Sequence, residues 1–105
     1  MTLSMTARQM AHMVAHARAG APEEVCGLVL GRDGVAGAVY RVPNVARTPH
    51  VTYLMQPETQ VLLFDYMDRR GWDVLGIYHS HPRGPELPSA TDIAQSYYPD
   101  TMYII

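Results

Sequence analysis

The period of the hydrophobic positions changes several times along the chain, and each change marks an element. Between residues 5 and 19, Met5, Met10, Met13, Val14 and Ala17 recur near helical spacing, with Ser4 as the expected N-cap and Gly20 just past the end. After Pro22, residues 25–30 form an apolar run of strand length. Gly31, Arg32, Asp33 and Gly34 close it with turn chemistry, and residues 35–42 return as the second arm of a hairpin. A polar stretch beyond Pro43 and Asn44 leads to residues 51–55, where another short strand is expected. Pro57 suits a first helical position and Glu58 a first turn, so a second helix is predicted, with Val61, Leu62, Asp65, Met67 and Arg70 leading to Gly71 as its stop. Residues 72–81 begin with the β-formers Val74, Leu75, Ile77 and Tyr78. They read as a largely buried strand ending in His79, Ser80 and His81. A loop over 82–88, a short helix from Ser89 to about Tyr98 and a strand from Met102 follow. This order of helices and strands predicts a mixed α/β fold, a central sheet with helices against it.

Composition narrows the class. A chain of 105 residues is expected to form one domain, 1–105. With 48% apolar and 17% charged residues it is too hydrophobic for a disordered tail. A net charge of -2 and a pI near 6.2 give no electrostatic footprint for nucleic acid or an anionic membrane. No apolar stretch approaches the roughly 20 residues of a membrane helix. The single cysteine, Cys26, excludes an internal disulfide, and a reducing, cytoplasmic setting is expected. In a buried strand Cys26 is most simply core packing.

The chemistry concentrates in His79, His81, Ser89 and Asp92. Residues two apart on a strand share a face, so His79 and His81 would present two imidazoles side by side. Asp92 follows His81 by eleven residues, and the proline-containing loop between them can return a carboxylate to the pair. Two histidines and a carboxylate leave a fourth tetrahedral position open, the pattern of a catalytic rather than a structural zinc site. Ser89, Ala90, Thr91 and Asp92 also read as a capping box, and a cap that fixes the first helical turn would aim Asp92 as well. Upstream, Glu23 and Glu24 precede the first strand. Alternation puts them on opposite faces, so only one can face a metal and serve as the general base of a hydrolytic site. His12 and His16 are four apart on a helix, but position 13 is Met, so the zincin pattern is not met and a solvated helix face is expected.

Pro22-x-Glu24-x-x-Gly27, then a strand ending His79-x-His81, seven residues and Ser89-x-x-Asp92, resembles the JAMM (JAB/MPN/Mov34) metalloprotease domain over residues 5 to 105. The resemblance implies a cytidine-deaminase-like fold and one zinc ion held by His79, His81 and Asp92. It also implies Glu24 as general base, with Glu23 its neighbour, and Ser89 as donor to the developing oxyanion. The substrate so implied is an amide bond after the Gly-Gly end of a ubiquitin-like or sulfur-carrier protein, as in the bacterial branch, which the segment from Asn44 to Pro57 also resembles. Relatives continue with further strands beyond the point where residue 105 falls, so a shortened domain or a fragment is expected. Two rivals stand beside this reading. The RadC-like proteins share the pattern of residues 79–92, though residues 22–31 fit the peptidase branch better, and a catalytically silent MPN scaffold would be expected to have lost ligands that this chain retains.

Overall fold

The computed structural model describes residues 2–95 and 100–105. Its elements are α1 (Ala7–Gly20), β1 (Cys26–Arg32), β2 (Val35–Val42), α2 (Pro57–Arg70), β3 (Asp73–His79), α3 (Ala90–Ala94) and β4 (Met102–Ile104). The strands make one mixed sheet in the order β2-β1-β3-β4, with β1 antiparallel to both neighbours and β3 parallel to β4. The mixed α/β architecture is the one expected from the sequence.

Local chemistry explains most of the boundaries. Asp33 and Gly34 both take positive φ, 53° and 76°, which is the backbone a tight hairpin between β1 and β2 requires. Pro57 starts α2, and Gly71 ends it in the left-handed conformation at φ 65°, its N–H turned back to the carbonyls of Asp68 and Met67. At α1 the expectation fails by half a turn. Thr6, not Ser4, is the N-cap, because Gln9 completes a reciprocal capping box with it, and Gly20 is still helical. Ser4 instead lies along the edge of β2, donating to the Gly34 carbonyl and accepting from the Ala36 N–H. The strand expected over 51–55 does not form. Only a single bridge joins Asn44 to Met55, and the segment turns on Thr48, whose carbonyl accepts from both Val51 and Thr52. The expected end of the last helix near Tyr98 lies outside the described residues.

The core has two layers because β1 is covered on both sides, which is why its sequence is continuously apolar. Cys26, Leu28 and Leu30 pack with Val42, Met55 and Ile77 beneath Leu63, Phe64 and Met67 of α2. Val29 packs with Val25, Ala36 and Tyr78 beneath Met13 and Ala17 of α1. The parallel β3–α3–β4 crossover sets α3 just beyond the carboxyl end of β3, where open α/β sheets place their ligand sites.

Gly27 has a packing role that its place in the motif conceals. A methyl group there would fall on the ring carbons of Tyr78 and on the Tyr40 carbonyl. Tyr78 is buried and reaches across to His16 Nδ1 at 2.8 Å, so moving its ring aside would break that contact, and the Tyr40 carbonyl is backbone that cannot swing away. Gly27→Ala is therefore expected to cost about 1–3 kcal/mol in a urea titration, the usual range for overpacking a filled core. An unchanged midpoint would show that the Tyr78 ring can shift.

Candidate active site

Three ligand atoms converge at the carboxyl end of β3. His79 Nε2 lies 3.0 Å from His81 Nε2, and Asp92 Oδ2 lies 3.2 Å from the first and 3.0 Å from the second. His79 is the last residue of β3, so the strand alone does not align the pair as the spacing suggested. His81 lies past the strand end, where its Nδ1 meets the Pro85 carbonyl at 2.8 Å. If Nδ1 carries the proton it donates to Pro85, and the lone pair on Nε2 faces the cluster. Asp92 is aimed by the predicted cap. Ser89 N–H donates to its Oδ2 at 2.8 Å, and the Ser89 hydroxyl oxygen accepts from the Asp92 N–H at 3.0 Å.

Glu24 completes the group. One of its carboxylate oxygens lies with His79 and His81 nitrogens in a set all within 4.8 Å of one another. The residue is buried at 5% exposure, whereas Glu23 is exposed, so the alternation argument resolves in favour of Glu24. Its position follows from the pairing of β1 with β3, which runs on past the strand ends. Ser80 N–H donates to the Val25 carbonyl at 3.0 Å, and Val25 N–H donates to the Ser80 hydroxyl at 2.9 Å.

The electrostatics favour a cation at the centre. Burial holds the His79 pKa below its ordinary value despite the upward pull of Asp92, keeping the imidazole neutral. Burial pushes Asp92 upward, but the Ser89 hydrogen bonds and His79 outweigh it and leave the carboxylate easily ionised. Burial raises Glu24, with His81 opposing and Asp92 assisting, the direction that suits a proton carrier. Among the described residues, Glu24 Oε1 and His79 Nδ1 are buried without a hydrogen-bond partner. Two imidazole nitrogens and two carboxylates thus crowd one partly buried site in which Glu24 Oε1 receives no hydrogen bond, an arrangement that costs free energy without a positive ion. A tetrahedral zinc with bonds of about 2.0–2.1 Å keeps its ligand atoms about 3.3–3.4 Å apart. The three observed separations fall a few tenths of an ångström short, so His79, His81 and Asp92 fit the ion. Cys26 does not compete: burial, then Glu24, pushes its thiol up to about 12, and its Sγ donates to the Val42 carbonyl.

All five residues singled out from the sequence for the site, Glu24, His79, His81, Ser89 and Asp92, come together. His12 and His16 do not join them; His16 bonds Tyr78 instead. Two residues without an assigned role in the sequence stand close by. The ring of Tyr53 stacks on His79 with centroids 4.5 Å apart and planes 24° from parallel. Asn44 hydrogen-bonds the Glu24 carbonyl. Neither lies in a motif with a mechanism of its own, and only the general likeness of residues 44–57 to one branch pointed toward them. A cleft of about 210 Å³ opens on the cluster between His50 and Val51 on one side and residues 82–89 on the other.

Fold and site together define a mixed α/β domain with a buried His-His-carboxylate cluster and a second carboxylate at the carboxyl end of its central strand. The chain belongs to the prokaryotic homologs of the JAB domain, the family matched by residues 6–105. It is 38% identical to the desampylase of Haloferax volcanii, over 98% of this chain and 78% of that protein. It is 42% identical to a protein of Thermus thermophilus named probable TtuB-protein conjugate cleaving protease, over 78% of this chain and 55% of that one. Identity to the CysO-cysteine peptidase of Mycobacterium tuberculosis is 33%, over 89% and 64%. The chain therefore spans less than two thirds of the last two relatives. The solution structure of a Desulfitobacterium hafniense protein matches with a TM-score of 0.80 and 39% identity, over 93% of this chain and 69% of that one.

The histidine shifts carry a sign for stability. His79 and His16 are both held below 6.5, chiefly by burial, so on acidification the unfolded chain takes up protons that the folded chain refuses. Glu24, shifted upward, works in the opposite sense. Stability of the metal-free protein, followed as a urea midpoint, is expected to fall as pH drops through about 6.5 and below. His79→Gln should make that fall shallower while leaving the His16 share. An identical slope would contradict the burial account of His79.

Proposed function

We propose that the chain is a zinc-dependent peptidase or isopeptidase that hydrolyses the amide bond after the C-terminal Gly-Gly of a ubiquitin-like sulfur-carrier protein. The observation that carries this reading is the triangle of His79, His81 and Asp92 ligand atoms at 3.0–3.2 Å with buried Glu24 beside it. His79, His81 and Asp92 hold the metal. Glu24, also close to both histidines, stays free as the base because its oxygen lacks the short contacts to both imidazoles that Asp92 makes. Bound there, zinc polarises the scissile carbonyl and lowers the pKa of water toward about 7.

The remaining steps belong to the chain's own side chains. Glu24 removes a proton from the attacking water, whose oxygen bonds to the carbonyl carbon. Ser89, which lines the same cleft, donates to the carbonyl oxygen as negative charge develops. Glu24 then returns the proton to the leaving nitrogen as the C–N bond breaks, giving a carboxylic acid and an amine, which become a carboxylate and an ammonium ion when the remaining water proton passes to the amine. The small cleft favours a tail of two glycines, which brings backbone and no side chains. The names of the relatives, a desampylase, a conjugate cleaving protease and a CysO-cysteine peptidase, support hydrolysis of ubiquitin-like conjugates as the reaction class. The reading treats residues 1–105 as one domain acting in the cytoplasm; no helix among the described residues is long and apolar enough to cross a membrane.

Incubation of the zinc-loaded protein with sulfur-carrier proteins extended beyond Gly-Gly, followed by mass spectrometry, is expected to show cleavage after the second glycine. Intact substrate, with the protein bound to it, would favour the silent scaffold. By metal analysis the protein is expected to hold about one zinc, and His81→Ala to hold none. Glu24→Gln should keep the metal and lose about a hundredfold or more in rate, whereas Glu23→Gln should keep both. A dead Glu23→Gln variant would transfer the base to the other acid.

A further inference from the structure

We propose that Asn44 is a positioning residue for the hydrolytic site: its carboxamide clasps the main chain of Glu24 on one side and brackets Tyr53 on the other, so one side chain sets both the base and the aromatic plate behind His79. The inference rests on the roles given above to Glu24 and His79.

The carboxamide makes four hydrogen bonds. Nδ2 donates to the Glu24 carbonyl at 2.9 Å and to the Thr52 carbonyl at 3.1 Å. Oδ1 accepts from the N–H groups of Ala46 and Leu54, both at 3.0 Å. The amide can face only one way, since exchanging its oxygen and nitrogen would set donors against donors and acceptors against acceptors. Every bonding capacity of the side chain used here goes to backbone, and two of the partners, Thr52 and Leu54, flank Tyr53.

Glu24 needs such a device. It lies one residue beyond the last hydrogen bonds joining the two strands, at Val25, so the ladder brings it near the histidines without bonding it, and among the described residues its Oε1 has no hydrogen bond. Its place is set from the main chain. The Glu24 N–H donates to the Pro49 carbonyl at 2.7 Å, and its carbonyl accepts from Asn44, so both polar main-chain groups are held by the segment between β2 and α2. The same segment carries Tyr53 onto the face of His79. Base and ligand sit at the ends of different strands, and the Asn44 clasp ties that arrangement to one loop. A carboxylate that must reach a water and then a leaving nitrogen is sensitive to displacements of about 1 Å, which is where a positioning residue acts on rate.

Asn44→Asp isolates the clasp. The variant keeps an oxygen for Ala46 and Leu54 but turns an acceptor toward the Glu24 and Thr52 carbonyls. In the zinc-loaded protein, kcat on a Gly-Gly-extended carrier is expected to fall at least about tenfold with KM within about threefold, at an unchanged zinc content. On a Glu24→Gln background the same substitution should cost nothing further, because both changes act through one group. In the metal-free protein, hydrogen exchange at the Glu24 amide should quicken at least about tenfold while that at Leu28 is unchanged, and the His79 ring-proton resonances should lose the shift that Tyr53 imposes. Unchanged kcat, a full additional loss on Glu24→Gln, or exchange that quickens equally at Leu28 would each overturn the proposal. If the unaltered protein cleaves no carrier, the function proposed above fails by itself, and the exchange and ring shifts alone decide the clasp, unchanged values overturning it. Should Asn44→Asp fail to fold, Asn44→Gln, which displaces the same amide by one methylene, is read by the same measurements.

Discussion

The antiparallel register between β1 and β3 governs the rest of the molecule. It sets Cys26 opposite His79 and continues past the strand ends through the paired hydrogen bonds of Val25 and Ser80. Glu24 is thereby brought beside two imidazoles that are more than fifty residues away in sequence. A slip of one residue would turn Val29 and Leu28 to the wrong layers and put Glu23 at the site. Gly27 protects this register in a second way, by leaving room for the Tyr78 ring next to His79. The spacing from Glu24 to Gly27 is thus one constraint, joining the buried carboxylate to the packing that keeps it in place.

Burial then sets the protonation states. The same exclusion of water that keeps His79 neutral raises Glu24, while the Ser89 cap keeps Asp92 ionised against the same penalty. A neutral imidazole and an ionised carboxylate are the forms a divalent metal binds, and a carboxyl group whose pKa is raised by burial holds a proton more readily than an exposed one. Neighbouring groups in one pocket are driven in different directions by the hydrogen bonds each receives: Ser89 and His79 both favour the ionised Asp92 carboxylate, and none of the described residues bonds Glu24 Oε1.

Much of this was legible in the sequence, and the reasons differ by residue. Pro57, Gly71 and the Asp33-Gly34 turn mark boundaries because their backbone preferences are local. The capping box from Ser89 to Asp92 is local as well, and in the structure it aims the Asp92 carboxylate at the two histidines. Thr6 and Gln9 carried the same signal at α1, which the nearer apolar spacing of Met5 obscured. His79 and His81 do meet, but through the turn fixed at Pro85 rather than by strand alternation alone. Residues 51–55 and Asn44 were not legible. Their conformation is decided by bonds to Glu24 and by the stack on His79, partners that no local pattern announces. The central strand β1 was readable for the opposite reason: burial on both faces leaves a continuous apolar run whatever its neighbours are.

The central claim is that His79, His81 and Asp92 hold one metal while Glu24 stands free beside it. A crystal structure of the zinc-loaded protein, with the ion located by anomalous scattering, tests it most directly. The account predicts one ion at about 2.0–2.2 Å from His79 Nε2, His81 Nε2 and an Asp92 oxygen, with the Glu24 carboxylate beyond bonding distance. An ion bonded to Glu24 in place of Asp92 would contradict it.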